Sequence, residues 1–335
     1  FTAATALPKR SEYSEEDTGR VTSGAAYAML GRTYWYNRDF ENAYKMLYVL
    51  VEGEQKGEYE LDPDFATQWL NPNSNLRESI FEIQYVTNGK NWDASTGWNG
   101  VWFIPSSDGG YGFHLPTQHL LDAFDPEDPR ITWTFVRQGD QFVGNDFVTG
   151  DANYPSRFFD RKHFVPMSET LNAASPVYPQ DVEMTVYVIR YADVLLMYAE
   201  ACLEKGDIVG ARKYLNQVRK RARESSPLDA KRVIQKYVPD TKPTSLPDIT
   251  SDNVAEVQLA IWNARRFEFA GEGIRRMDLM QQERYGEIMT AVYSNGYATE
   301  DVDKGRYYTK ERELFPIPQN DIDLSRGALV QNPGY

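Results

Sequence analysis

Residues 190–222 read RYADVLLMYAEACLEKGDIVGARKYLNQVRKRA, and their spacing decides the fold. Leu195, Tyr198, Ala199 and Cys202, then Ala211, Leu215 and Val218, recur at intervals of three, four and seven within each half. That is the repeat of one helical face. Gly206 and Asp207 supply a turn between the halves. Tyr27, Leu30, Gly31, Tyr34, Ala43, Leu47 and Leu50 occupy the same seven positions at the same spacings earlier in the chain. Asn37, Arg38 and Asp39 make the corresponding turn. Small residues stand where two helices must approach closely, and large apolar ones fill the stripe between. The chain therefore carries two helical hairpins, neither of which buries its apolar faces without further helices packed against it.

This is a tetratricopeptide-like layout, a unit of about 34 residues. It predicts a mainly α chain: a helical-hairpin scaffold interrupted by irregular loops and short strands. The first hairpin is expected over 21–53, where Gly53 ends the second helix. A loop-rich insertion follows over 58–185, with Asp62-Pro63 and Asn71-Pro72 as breakers. Inside it, the β-branched and aromatic run 79–87 reads as a strand closed by Asn88-Gly89, and 117–123 as a helix. The second hairpin is placed at 186–222. Helices are expected over 252–284, capped by Ser251 or Asp252, with Val254, Val257, Ile261 and Ala264 as an apolar stripe. Residues 286–310 read as a Tyr-bearing loop. Residues 311–335 read as an extended tail, because the prolines of Leu314-Phe315-Pro316-Ile317-Pro318 oppose helix.

Composition limits the function classes. Hydrophobic content of 41% and charged content of 25% fit a folded rather than a disordered chain. A net charge of −13 repels phosphate backbones and argues against nucleic acid as a partner. No apolar run approaches the roughly 20 residues that a bilayer-spanning helix needs. Cys202 is the single cysteine and falls at a small-residue position of the hairpin, which makes it a packing residue.

Catalytic and metal chemistry finds little support. His114 and His119 are five residues apart, the wrong spacing for two ligands on one helical face, so no metal is expected. Asp125, Glu127 and Asp128 lack the glycine and spaced ligands of a calcium loop and read as solvated charges. No Gly-x-Ser-x-Gly elbow and no phosphate-binding glycine loop is present, and no cofactor is expected. The run from Arg265 to Arg276 alternates Glu and Arg, which reads as ion pairs between helices rather than an anion site.

The functional signal is aromatic. The chain has 22 Tyr, 16 Phe and 7 Trp. Trp92, Trp98, Trp102, Phe103, Tyr111 and Phe113 fall in one stretch, interleaved with Asn91, Asp93, Asn99 and Asp108. A sugar ring offers an apolar C–H face to an aromatic side chain and hydroxyl edges to amides and carboxylates. Trp92, Trp98 and Trp102 are the candidate stacking residues, with Tyr111 behind them. Asn91, Asp93 and Asn99 are candidate hydroxyl partners. Some of these rings should instead fold back onto the helices as local core. Tyr293, Tyr297, Tyr307 and Tyr308 form a second, weaker cluster.

The residues also carry a family resemblance. Arg190 to Ala201 and Leu215 to Ala222 resemble the central signature of the SusD/RagB family. Arg265-Arg266-Phe267-Glu268 through Gly273, Arg275 and Asp278-Leu279 is similar to its Arg-Arg-x-Glu-(four residues)-Gly-x-Arg-x-x-Asp-Leu element. Leu314 to Ile322 and the ending Gln331-Asn332-Pro333-Gly334-Tyr335 match its C-terminus, and Gly24 to Leu30 resembles the start of a middle repeat. The elements run in family order over nearly the whole chain. The resemblance implies one SusD-like domain over 1–335 whose N-terminal helices and lipid anchor lie outside this chain. It further implies a non-enzymatic lipoprotein on the outer-membrane surface of Bacteroidetes-type bacteria. Such a protein binds oligosaccharide or polysaccharide and acts with a SusC-like TonB-dependent transporter. Two other readings stand beside it: a tetratricopeptide-type scaffold that binds protein or peptide in a groove of its helices, and a glycoside hydrolase built on a helical frame.

Overall fold

Both hairpins close with the same turn chemistry in the computed structural model. It describes residues 1–70, 73–85, 102–103, 111–137, 140–142, 158–163, 185–226, 233–234, 246–294 and 309–335. In the first hairpin α1 (Ser23–Tyr36) precedes α2 (Phe40–Val51). Thr22 caps α1 by accepting from the amide of Ala25, and Asp39 caps α2 by accepting from Asn42. The chain then passes through a 3-10 turn at Phe65–Trp69, strand β1 (Ser79–Ile83), the short helices α3 (Gln118–Ala123) and α4 (Arg130–Thr134), and strands β2 (Phe135–Arg137), β3 (Gln141–Phe142) and β4 (Phe158–Asp160). Strand β5 (Val186–Arg190) leads directly into α5 (Tyr191–Glu204), and α6 (Ile208–Glu224) completes the second hairpin. Asp207 caps α6 as Asp39 caps α2, four residues before the matching Ala211 and Ala43. The residue before each cap, Arg38 or Gly206, takes a left-handed backbone with φ of 60° or 83°. Strand β6 (Val233–Ile234) pairs with β3, and α7 (Val254–Glu268) packs against α5 and α6.

Residues 186–190 are a strand rather than the start of the second hairpin. The β-branched run Val186-Tyr187-Val188-Ile189 pairs antiparallel with β1, setting Ser79 opposite Arg190 and Ile83 opposite Val186. Helix begins only at Tyr191. The cap of α7 is Asn253, whose side chain accepts from Ala255 and Glu256.

Helix α5 is the axis of this unit. From Tyr191 to Leu203 every residue is buried, so no side of this helix faces solvent. The close approach inside the first hairpin depends on Gly31, where an added Cβ would lie 2.6 Å from a methyl of Leu47. Two acids on α5 tie its neighbours together. Asp193 accepts from Arg265 of α7 at 2.6 Å and from Arg32 of α1 at 3.4 Å. Glu200 accepts from Trp35 at 3.0 Å, Trp262 at 3.0 Å and Gln258 at 2.8 Å. A second buried network centres on Glu268, which accepts from Arg130 at 3.0 Å, from Arg190 at 2.6 Å and from Arg221. Arg190 also binds Glu78 and Glu272. Asp128 belongs to this network: it is buried and pairs with Arg130 at 2.6 Å, so it is not one of the solvated loop charges. Burial pushes the Cys202 thiol up to about 12 and leaves it a packing group.

The described chain divides into two compact units, 1–273 and 274–335. The second holds α8 (Arg275–Gln281), α9 (Tyr285–Ser294), a 3-10 turn at Lys310–Glu313 and α10 (Gln319–Leu324). Helix α9 stands in part of the stretch expected to be a loop. The tail is extended only around Leu314–Pro318, then turns helical. It is held by its own end: Gln331 bonds both the amide and the carbonyl of Ile317, at 2.8 and 2.9 Å, and Asn332 donates to the carbonyl of Phe315 at 2.7 Å. Arg276 donates to the carbonyl of Glu313 and lies 4.3 Å over the Phe315 ring.

Candidate functional site

A single backbone bond assembles the site. The amide of Phe113 donates to the carbonyl of Trp102 at 2.7 Å, which sets Trp102-Phe103 beside Tyr111–His114. Three rings meet there. Trp102 and Phe113 stack at 5.7 Å with planes 15° apart, Tyr111 and Phe113 at 6.0 Å and 17°, and Trp102 and Tyr111 approach to 5.2 Å at 32°. All three residues are about half exposed: Trp102 46%, Tyr111 52% and Phe113 54%. Apolar rings gathered at the surface rather than buried mark an interaction site more often than a packing one.

The neighbouring Phe103 is partly buried. Phe103 stacks on His163 at 4.7 Å and meets His114 edge-on at 5.9 Å. Both histidines converge on Asp160 at the end of β4: Nδ1 of His114 lies 3.0 Å and Nδ1 of His163 2.9 Å from the same oxygen, Oδ2. The other oxygen, Oδ1, accepts from the amide of Lys162 at 2.8 Å. Burial alone would raise the Asp160 carboxyl, but the His163 charge and the hydrogen bonds from His114 and His163 outweigh it and hold it well below the usual carboxylate range. In turn, the hydrogen bond to Asp160 raises the His114 imidazole. His163 also meets Trp69 edge-on at 6.3 Å, and Trp69 belongs to a core cluster with Phe65, Ala66, Trp133, Val136 and Phe159. Gly271 lets a backbone turn reach this carboxylate: its φ is 84°, and a Cβ there would sit 3.0 Å from Oδ2 of Asp160. The exposed rings are thus joined to the buried core through two histidines and one aspartate.

Of the candidates named from sequence, Trp102 and Tyr111 lie together in this cluster. Trp92, Trp98, Asn91, Asp93 and Asn99 lie outside the described residues, as do Tyr297, Tyr307 and Tyr308; Tyr293 is on α9. Phe113 joins the rings although it was not a stacking candidate, and its place between Gly112 and His114 gave no signal beyond aromaticity. The His114–Asp160–His163 grouping is invisible to local spacing, because its members are 46 and 3 residues apart along the chain. His119 is not part of it and instead contacts Arg266.

The chain belongs to the SusD/RagB family: residues 77–335 match the SusD family. Two curated relatives are a SusD-like protein of Bacteroides ovatus and SusD-like protein P2 of Formosa agariphila. The first is 26% identical over 62% of this chain and 41% of its own length, the second 23% identical over 94% and 60%. The chain therefore spans about half the length of the curated relatives it matches. Among solved structures, a SusD homolog from Bacteroides thetaiotaomicron superposes with a TM-score of 0.76 at 22% identity, covering 99% of this chain and 68% of that one. A laminarin-binding SusD-like protein superposes with a TM-score of 0.71 at 24% identity, covering 99% and 66%. These likenesses establish a mainly helical, SusD-like fold.

Proposed function

We propose that this chain is a surface glycan-binding protein that captures oligosaccharide and passes it to a SusC-like TonB-dependent transporter at the outer membrane. It binds without catalysis and without a cofactor. The observation that carries the reading is the half-exposed cluster of Trp102, Tyr111 and Phe113, mounted on buried structure. Aromatic side chains exposed at the surface are what the C–H face of a sugar requires. Support comes from the family and from a structural relative described as laminarin-binding. A hydrolase needs two facing carboxylates about 5–9.5 Å apart in an open cleft. Asp160, the carboxylate bonded to His114 next to Phe113, is buried and engaged by two imidazoles, which favours binding over hydrolysis.

Trp92, Trp98, Asn91, Asp93 and Asn99 remain part of the proposed surface, as neighbours of Trp102 in sequence. Affinity electrophoresis in gels containing laminarin tests the site. Trp102→Ala should weaken retardation by about 1–3 kcal/mol in binding free energy, the scale of a well-packed contact residue. Unchanged retardation of a folded Trp102→Ala variant, with the wild type retarded, removes the ring cluster from the site.

A further inference from the structure

We propose that His114, Asp160 and His163 form a binding site for a divalent transition-metal ion of the zinc type. Two imidazoles and one carboxylate are a donor set that zinc and its neighbours favour. The three donor atoms, one from each residue, lie within 4.8 Å of one another. On a tetrahedral ion with bonds near 2.0–2.1 Å, donor atoms sit about 3.3 Å apart. The two His–Asp separations, 3.0 and 2.9 Å, need to open by a few tenths of an ångström, and the third pair, within 4.8 Å, must close by up to about 1.5 Å, a movement open to the half-exposed His114 side chain.

The surroundings are those of a prepared site. Oδ1 of Asp160 is fixed by the amide of Lys162, so the carboxylate presents Oδ2 to both imidazoles. The His163 ring is held between Phe103 and Trp69. His114 is kept at φ of 61°, a left-handed conformation that is uncommon for a residue with a side chain, and this places its ring against Asp160. Asp160 and His163 are buried while the His114 side chain is 43% exposed, so one side stays open for the ion to arrive and for a fourth ligand from water. The adjacent Lys162 ammonium is already engaged by Glu272 at 2.7 Å and by the carbonyl of Glu268 at 2.8 Å.

An ion here would tie residue 114 to β4 and so hold Phe113, the next residue, in the ring cluster. The site does not depend on the glycan reading, and its test uses no sugar. Calorimetric titration of the chelator-treated full chain with zinc alone should show one ion bound per chain. His114→Ala, His163→Ala and Asp160→Asn should each weaken binding by about tenfold or more, while His119→Ala leaves it unchanged. His114 is exposed, so its variant should fold even if changes at the two buried ligands disturb packing; circular dichroism of each variant checks this. Zinc should also raise the melting temperature of the wild type and not that of His114→Ala. Absence of one-to-one binding by the wild type, or affinity within twofold between the wild type and His114→Ala, overturns the proposal.

Discussion

Glu268 shows how one side chain commits a family motif to structure. Its carboxylate is buried beneath three guanidinium groups, from Arg130, Arg190 and Arg221, which arrive from three separate elements. Glu268→Ala strips the partner from buried positive charge and should lower stability by about 3–5 kcal/mol, read as a fall in the urea midpoint. A midpoint unchanged from the wild type would mean that the charges are solvated in the folded chain. The sequence already suggested that the Arg265–Arg276 run makes structural ion pairs, and the structure has such pairs. What the sequence could not supply was the partners, since Arg130 is 138 residues from Glu268. The same limit hid the His114–Asp160–His163 grouping. Helical spacing reports neighbours on one face of one element, and these contacts join residues that only the finished fold brings together.

At the scale of elements, the hairpins were legible because helix pairing imposes a periodic demand on the sequence. Gly31 sits where α1 touches α2. Gly31→Ala adds helix propensity of about 1 kcal/mol but crowds Leu47, and overpacking of this kind costs about 1–3 kcal/mol, so the net effect should be destabilising. Gly206→Ala isolates a different cause. Nothing lies within 4 Å of the added methyl, so the cost is the left-handed backbone alone, about 1–2 kcal/mol. Thermal melts of both variants check the pair; a Gly206→Ala variant as stable as the wild type would contradict the turn geometry. Elements set by other rules were harder to read. Val186–Arg190 adjoins α5 without a break, and only its pairing with β1 marks it as strand. Helix α9 carries Tyr285, Gly286 and Tyr293, which look loop-like in isolation. Helix α10 spans six residues behind Pro318, too short for a period to emerge.

At the scale of the whole molecule, acid should weaken the fold. Hydrogen bonds from Lys213, Lys56 and Tyr214 hold the Glu52 carboxyl down to about 2, from an ordinary value of 4.5. Burial would raise Glu268, but the charges of Arg221, Arg190 and Arg130 outweigh it and hold it low. A carboxyl depressed in the folded state contributes its full stability above its unfolded value and loses it as the pH falls through the folded one. Glu200 and Asp62, both raised by burial, act in the opposite sense and blunt the fall. The urea midpoint should therefore drop between pH 7 and pH values near 2–3, and a midpoint that rises on acidification would contradict this balance.

The central claim is that a helical-hairpin frame presents open aromatic rings to a sugar. Isothermal titration with a panel of soluble polysaccharides, laminarin among them, tests it most directly when the wild type is set beside a folded Trp102→Ala/Tyr111→Ala/Phe113→Ala variant. The account predicts at least one glycan that the wild type binds and the triple variant does not. Equal affinities for every glycan bound, with the rings gone, would contradict it.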